Sequence, residues 1–108
     1  MRALLAAFLF AILIAGCEVQ SSSSPSLVAV TATWCEPCQR DKPKLVEVSQ
    51  EFPVTVLDFD QQRADADRLG VSSVPTYVVY DANGKEVQRF DNLKRAIWLL
   101  RKLYQLSN

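Results

Sequence analysis

Two cysteines three positions apart are the residues of this chain best suited to chemistry. They lie in the stretch Trp34-Cys35-Glu36-Pro37-Cys38, where the two thiols can close into one disulfide and reopen. The chain has three cysteines and no histidine. Without histidine there is no Cys-His nucleophile, no histidine-ligated metal and no imidazole to carry protons near neutral pH. Any catalysis must therefore use thiols, carboxylates and the backbone.

Two structural interpretations compete with a redox role for Cys35 and Cys38. A structural zinc site made of four cysteines, or of two cysteines and two histidines, lacks its remaining ligands within this chain. A purely structural disulfide between the two would close a very short loop and constrain the unfolded chain little. The spacing therefore favours a redox-active disulfide, and neither a metal nor another cofactor is predicted.

The position of the pair predicts different roles for its two thiols. A predicted strand precedes the pair and a predicted helix follows it, so Cys35 falls at a helix N-terminus. Free N–H groups and the helix dipole favour a thiolate at such a position. Cys35 is therefore the predicted nucleophile. Cys38, one helical turn further in, is predicted to resolve the mixed disulfide by attacking the Cys35 sulfur.

The two residues between the cysteines are expected to tune the reduction potential. Pro37 falls in the first helical turn, where its missing N–H costs little. Glu36 places a negative charge beside the nucleophile, which opposes thiolate formation and disfavours a strongly oxidising site. This charge favours a reductant over an oxidant, and its effect shrinks if Glu36 points into solvent.

Hydrophobic periodicity and turn residues predict the elements that hold the pair in place. Strands are predicted at 27–33, 54–59, 76–80 and 86–90, and helices at 36–51, 60–69 and from 92 onwards. Pro53 and Gly70 end the first two helices, and an Asn83-Gly84 turn joins the last two strands. The predicted fold class is α/β, with order βαβαββα and a four-stranded mixed sheet flanked by helices on both faces.

The first sixteen residues are predicted to be a targeting segment. Arg2 precedes the unbroken apolar run 3–15, which suits a signal peptide and falls short of the ~20 residues that a membrane-spanning helix needs. Residues 13–17, Leu-Ile-Ala-Gly-Cys, resemble the lipobox of bacterial lipoproteins. That resemblance implies cleavage before Cys17 and lipid on its sulfur. A plain secretory signal with a chance cysteine and an uncleaved anchor are the alternatives.

The predicted organisation is a signal peptide at 1–16, a lipidated cysteine and serine-rich tether at 17–26, and one domain at 27–108. The expected location is the cell envelope of a bacterium, with the lipid of Cys17 in a membrane and the domain facing the periplasm or the outside. Twelve basic and twelve acidic side chains cancel. Nucleic-acid binding is therefore not expected, and attachment to the membrane would depend on the lipid.

Residues 27–106 resemble the thioredoxin superfamily. The features that carry this resemblance are the WCEPC stretch directly after a strand, Pro43 eight residues beyond the first cysteine, Val74-Pro75-Thr76 before a strand, and the Asn83-Gly84-Lys85 hairpin. The resemblance implies a thiol-disulfide oxidoreductase that acts on protein thiols or disulfides, with Pro75 in a cis peptide beside the disulfide. The implied substrate-binding residues are Trp34, Val74, Pro75 and Thr76.

One feature of the motif resembles a narrower group of proteins, and two other positions depart from the thioredoxin pattern. The Glu-Pro dipeptide inside the motif looks like membrane-tethered reductases of cytochrome c maturation, which implies a membrane-side electron donor or acceptor as a second partner. The buried acid of thioredoxins falls at Ala29 here and its lysine neighbour at Val56, and both positions are apolar. The candidates left for proton transfer to the resolving thiol are water, Glu36, Asp58 and Asp60.

Two other functions stay open. A tethered thioredoxin-like module can bind a partner protein through Trp34 and the Val74-Pro75 surface, with the cysteines vestigial or regulatory. Copper delivery is less favoured, because such proteins generally use histidine or methionine beside the cysteines, and Met1 is the only methionine of the chain.

Overall fold

The computed structural model describes residues 24–107 and confirms the predicted order of elements. The elements are β1 (Ser26–Thr31), α1 (Glu36–Ser49), β2 (Val54–Asp58), α2 (Arg63–Arg68), β3 (Thr76–Tyr80), β4 (Glu86–Phe90) and α3 (Leu93–Ser107). The fold class is therefore α/β, with the order βαβαββα.

The four strands form one mixed sheet in the order β2-β1-β3-β4. Strand β1 is parallel to β2 and antiparallel to β3, and β3 is antiparallel to β4. Most side chains of the two central strands, β1 and β3, are buried, as is usual for short β-branched strands covered on both faces. Because a parallel pair cannot be joined by a tight turn, α1 makes the crossover from β1 to β2. The N-terminus of α1 therefore follows a central strand directly.

Helices cover both faces of the sheet. On one face, α1 and α3 pack against the central strands, and the buried residues of this core are Leu27, Ala29, Leu45, Val48, Phe52, Tyr77, Val79, Leu93, Ala96, Ile97 and Leu100. On the other face, Ala66 of α2 and Val71 pack with Val30. A third buried cluster holds Ala32, Cys35 and Cys38 where β1 ends. The cysteine pair is thus anchored on the interior of the protein.

Strand β1 is shifted from the predicted range 27–33. It begins at Ser26 and ends at Thr31. The chain leaves the sheet there because it turns towards the helix, and the Cys35 backbone N–H donates to the Ala32 carbonyl at 3.2 Å. This turn places the cysteine at the first position before α1.

Helix α2 is shorter than the predicted range 60–69, because it begins at Arg63. The residues before it are held in a turn by the carboxylate of Asp58, which accepts hydrogen bonds from the backbone N–H groups of Asp60 and Gln61, both at 2.9 Å. A carboxylate that bonds to the backbone two and three residues on competes with helix formation. The acidic residues after β2 therefore build a turn instead of a helix.

None of the helices within residues 24–107 has the length and apolar composition needed to cross a membrane. The predicted signal peptide and Cys17 lie outside the described residues, and the predicted tether is described only at 24–26. These parts of the sequence analysis stay predictions.

Candidate active site

The two cysteines of the WCEPC stretch form a disulfide at the N-terminus of α1. Their sulfurs are 2.13 Å apart and their α-carbons 5.3 Å apart. Cys35 is the N-cap of the helix, and its sulfur accepts a hydrogen bond from the Cys38 backbone N–H at 3.2 Å. The Cys35 sulfur therefore lies where unpaired N–H groups and the helix dipole stabilise negative charge.

The two cysteines differ in their access to solvent. Cys38 is completely buried, whereas Cys35 keeps 4% of its surface exposed. An incoming sulfur can therefore approach the pair only through Cys35. This is the asymmetry that a nucleophile and a resolving thiol require.

The first turn of α1 keeps Glu36 and Pro37 at the surface. Both side chains are exposed, and the proline lies within the first two positions of the helix, where a backbone N–H is not needed. Solvent therefore screens the charge of Glu36, which weakens its expected influence on the disulfide. The side-chain amide of Gln39 donates to the Ala32 carbonyl at 2.9 Å and ties this turn to the end of β1.

Trp34 is held by an acidic residue that follows β2. Its indole N–H donates to the carboxylate of Asp60 at 2.7 Å, while the side chain remains 64% exposed. The Asp60 backbone N–H donates in turn to the carboxylate of Asp58. Trp34 is therefore a fixed aromatic surface next to Cys35 in the chain, and both aspartates already serve other donors.

The loop before β3 brings Val74 to the disulfide. Val74 is half-buried and packs against the cluster that contains both cysteines. The Val74–Pro75 peptide bond is cis, as the resemblance implied. The hydroxyl of Thr76 donates to the carbonyl of Ser73 at 2.6 Å and closes the loop on itself. Among the loop residues predicted to bind substrate, Val74 packs against the cluster that contains the two cysteines.

Ala29 and Val56 lie side by side on β1 and β2. Ala29 is completely buried, and Val56 is 53% exposed on an edge strand. The position at which the resemblance places a buried acid thus carries a methyl group. A carboxylate that takes the proton of Cys38 must come from elsewhere.

A tyrosine-aspartate pair on the same face of the sheet was missed by the sequence analysis. Tyr77 is the antiparallel partner of Ala29 and is completely buried. Its hydroxyl donates to the carboxylate of Asp41 on α1 at 2.6 Å. Burial is the largest cause that raises the pKa of Tyr77 well above its usual range, followed by the hydrogen bond to Asp41 and the charge of its carboxylate. The tyrosine is therefore a neutral hydrogen-bond donor across the ordinary pH range.

One half of this pair could have been found from helical spacing. Cys38, Leu45 and Val48 are the buried residues of α1, and Asp41 falls among them at intervals of three and four. A carboxylate at an otherwise apolar position is a signal that it has a buried partner. The identity of that partner depends on the register of β3 against β1, which local patterns do not supply.

A groove of about 370 Å³ borders α1 beside Asp41. It is lined by Pro37, Arg40, Asp41, Lys44, Asp91, Asn92, Leu93 and Lys94. Asp41 is half-buried, so its carboxylate contacts the interior through Tyr77 and solvent through the groove. Among residues 24–107, no three histidine, cysteine, aspartate or glutamate side chains are grouped so as to hold a metal ion.

Comparison with known sequences finds relatives that span the described domain. The family profile described as Thioredoxin matches residues 16–103. The chain is 37% identical over 90 residues to the thioredoxin of Mycobacterium bovis, a match that covers 80% of this chain and 77% of that protein. It is 33% identical over 89 residues to the chloroplastic thioredoxin Y of Oryza sativa subsp. japonica. That match covers 79% of this chain and 52% of the rice protein, so the chain spans about half the length of this relative.

Comparison with solved structures gives the same result. The thioredoxin of Fasciola hepatica superposes with a TM-score of 0.67 at 28% identity, over 76% of this chain and 83% of that chain. The protein Trxlp of Edwardsiella tarda superposes with a TM-score of 0.61 at 30% identity, over 76% of this chain and 84% of that one.

Proposed function

Because the chain belongs to the thioredoxin family, whose members are thiol-disulfide oxidoreductases, we propose that it reduces protein disulfides while tethered by lipid to a bacterial membrane, facing the periplasm or the outside. The observation that carries the reaction is the Cys35–Cys38 disulfide at the N-terminus of α1. The tether is supported by the lipobox-like residues 13–17 and the serine-rich stretch that follows them.

The proposed reaction consists of two thiol-disulfide exchanges. The Cys35 thiolate attacks one sulfur of a substrate disulfide and forms a mixed disulfide, and the other substrate sulfur leaves as a thiolate that takes a proton from water. Cys38 then loses its proton and attacks the Cys35 sulfur, which releases the second substrate thiolate. Two electrons have passed from the pair to the substrate. A dithiol donor on the membrane side must then reduce the Cys35–Cys38 disulfide again.

Substrate recognition is proposed for the surface around Cys35. Trp34 offers an exposed ring that Asp60 holds in place, and Val74 packs against the cysteine cluster. An extended substrate segment can pair with the backbone at Val74 and lay apolar side chains on the indole. These contacts suit an unfolded or extended protein segment. The Glu-Pro dipeptide favours apocytochrome or partner thiols of cytochrome c maturation as that segment.

The proposed direction is reduction, because Glu36 places a negative charge beside Cys35. Its exposure makes the effect small, so the potential itself must be measured. We expect the Cys35–Cys38 couple to be more reducing than glutathione when the protein is equilibrated with glutathione buffers and its free thiols are alkylated. A couple more oxidising than glutathione would refute the proposed direction.

Turnover by the pair is tested with insulin reduction driven by dithiothreitol. We expect activity from the wild type and background rates from Cys35→Ser and Cys38→Ser. Cys17→Ser is the matched control, since it also removes one cysteine but leaves the pair intact, and it should keep the wild-type rate. A wild type without thiol-dependent turnover would contradict the oxidoreductase function.

The substrate is identified with Cys38→Ser, which cannot resolve its mixed disulfide. We expect this variant to capture covalent partners that dithiothreitol releases, and Cys35→Ser to capture none. Partners that carry haem-attachment cysteines would support cytochrome c maturation. Equal capture by the two variants would contradict attack by Cys35.

The lipid anchor is tested by mass spectrometry of protein extracted from membranes. The expected product begins at Cys17 and carries the mass of attached acyl chains. Cys17→Ser should lose that mass and leave the membrane fraction. An intact N-terminus at Met1 in the wild type would refute the anchor.

A further inference from the structure

We propose that the carboxylate of Asp41, held in place by the Tyr77 hydroxyl, takes the proton that Cys38 loses when it resolves the mixed disulfide. Asp41 is then the general base of the resolving step, and Tyr77 is a positioning residue. This inference rests on the proposed function, because it concerns the second exchange of that reaction.

Asp41 lies one helical turn beyond Cys38 on α1. Side chains three positions apart on a helix are neighbours, with β-carbons about 5–6 Å apart, a separation that one water molecule can bridge. The hydrogen bond from Tyr77 holds the carboxylate on the core-facing side of the helix, in line with Cys38 and Leu45. Helical spacing and this hydrogen bond therefore place a proton acceptor one turn from Cys38, which is completely buried.

The pairing of β1 with β3 explains how this chain dispenses with an acid at position 29. Tyr77 and Ala29 are directly opposed and belong to the same core, so their side chains share the face that α1 covers. The methyl group of Ala29 occupies little of that space, and the phenol ring of Tyr77 extends from the sheet to the helix. The acid has moved from the strand to α1, and the tyrosine connects the two.

The charged groups around Asp41 leave its proton a way out. Arg40 and Lys44 flank it on α1, and Asp91 and Lys94 line the opposite side of the groove at the start of α3. Tyr77 is the one titratable group recorded in contact with it from the sheet, within residues 24–107. Since the groove is open to solvent, a proton accepted from the interior can pass to water.

The three carboxylates that the sequence suggested are less well placed. Glu36 is exposed on the first turn of α1. Asp58 accepts hydrogen bonds from two backbone N–H groups, and Asp60 accepts one from the indole of Trp34. The donors that Asp58 and Asp60 serve lie at the surface, whereas the donor that Asp41 serves, Tyr77, is buried and holds the carboxylate on the core-facing side of α1.

The step balances without an external reagent. The proton leaves the Cys38 sulfur for an Asp41 carboxylate oxygen, directly or through one water. The Cys38 sulfur then forms a bond to the Cys35 sulfur, the bond from Cys35 to the substrate sulfur breaks, and the substrate leaves as a thiolate with that electron pair. Cys38 is oxidised and the substrate sulfur is reduced. When a donor reduces the pair again, Asp41 returns a proton to the Cys38 thiolate.

The experiment separates the two exchanges with 5,5′-dithiobis(2-nitrobenzoate). Attack by Cys35 on this disulfide releases one coloured thiolate, and resolution by Cys38 releases the second. Every protein in this experiment carries Cys17→Ser, which removes the third thiol of the chain, so stopped-flow absorbance reports each of the two steps. In Asp41→Asn the amide oxygen still accepts from Tyr77, but the side chain no longer takes a proton. We expect the first release to stay within about twofold of wild type and the second to slow by about tenfold or more at pH 7.

The pH profile distinguishes a base from a merely structural residue. The deficit of Asp41→Asn should shrink as the pH rises, because hydroxide becomes abundant enough to take the proton of Cys38 in place of the carboxylate. Asp41→Glu should restore much of the rate at neutral pH. Asp91→Asn, which removes a carboxylate from the same groove, is the matched control and should behave as wild type.

Tyr77→Phe keeps the carboxylate and removes the group that positions it. It should slow the second release by a smaller factor than Asp41→Asn, again mainly at neutral pH. The role of Asp41 would be overturned if the second release from Asp41→Asn had the same rate and pH profile as that from Asp91→Asn. It would also be overturned if Tyr77→Phe and Asp41→Asn both showed a deficit of equal size at every pH. A wild type that gives no second release would instead contradict the proposed function.

Discussion

Replacing Tyr77 with phenylalanine tests the physical basis of the buried pair. The ring is completely buried and its hydroxyl donates to Asp41 at 2.6 Å. The substitution keeps the ring in the core, so it removes one hydrogen bond to a charged acceptor and creates almost no cavity. The carboxylate left behind still lines a groove that is open to solvent, which lowers the cost of leaving it without the hydrogen bond.

The expected cost at neutral pH is that of one charge-assisted hydrogen bond, about 1.5 kcal/mol. For a domain of this size, such a loss lowers the melting temperature by about 6–12 °C. Burial and the negative charge of Asp41 raise the pKa of Tyr77, so the stabilisation is fully present below the pKa of the unfolded chain, near 10. Above that pH the unfolded state loses the proton first and stability falls.

The advantage of the wild type over Tyr77→Phe should therefore shrink by about 1.4 kcal/mol between pH 9 and pH 11, and it should nearly vanish at the upper end. Urea denaturation of both proteins across that range measures it. Lysines also titrate there, but they are common to the two proteins and cancel in the difference.

Tyr80→Phe is the matched control on the same strand. The Tyr80 hydroxyl has no hydrogen bond among residues 24–107, and the side chain is only half-buried, so its removal should cost less than about 0.5 kcal/mol at neutral pH. An advantage of the wild type over Tyr77→Phe that stays constant or grows between pH 9 and pH 11 would refute the reasoning. A neutral-pH cost no larger than that of Tyr80→Phe would refute it as well.

Three further results are expected. Asp60→Ala should free the indole of Trp34 and slow insulin reduction about two- to tenfold, which corresponds to the loss of one exposed charge-assisted hydrogen bond. A rate equal to that of wild type would show that substrate reduction does not depend on this hydrogen bond. Gly70→Ala should lower the free energy of unfolding by about 1–2 kcal/mol, because Gly70 has φ of +71°, a conformation that costs a residue with a β-carbon. An added β-carbon would meet nothing closer than 3.9 Å, so this backbone cost is the whole effect. Urea denaturation measures the change, and a neutral effect would contradict it. Reduction of the Cys35–Cys38 disulfide should cost only about 2 kcal/mol because the closed loop is short; a cooperative collapse on reduction would favour a structural disulfide.

The parts of the fold that could be predicted from the sequence depend on residues close together in the chain. The order of strands and helices follows from apolar periodicity, and the hairpin before β4 follows from Asn83-Gly84. The position of the disulfide at a helix N-terminus follows from a strand, a turn and Pro37 in direct succession. Errors appear where a side chain intervenes locally, as when Asp58 bonds to the backbone after β2 and delays the start of α2.

The parts that could not be predicted depend on residues far apart in the chain. Asp60 is 26 positions from the indole that it accepts from, and Tyr77 is 36 positions from Asp41. Both contacts exist because β1 lies between β2 and β3, an arrangement that no local pattern specifies. The resemblance to thioredoxins therefore indicates that Ala29 stands where the family has an acid, and local patterns do not identify a residue that replaces it.

An acid on α1 in place of one at position 29 affects how thioredoxin-like sequences should be compared. If Asp41 is the base, an apolar residue at position 29 is no sign of a lost reaction, because a tyrosine opposite it and a carboxylate on the helix supply the same proton acceptor. The three positions then depend on one another. An acid introduced as Ala29→Asp would enter the space beside the Tyr77 ring, so it should destabilise this chain unless the tyrosine is reduced in size at the same time. Single and double variants at 29 and 77, compared by urea denaturation, would show this coupling as a departure from additivity.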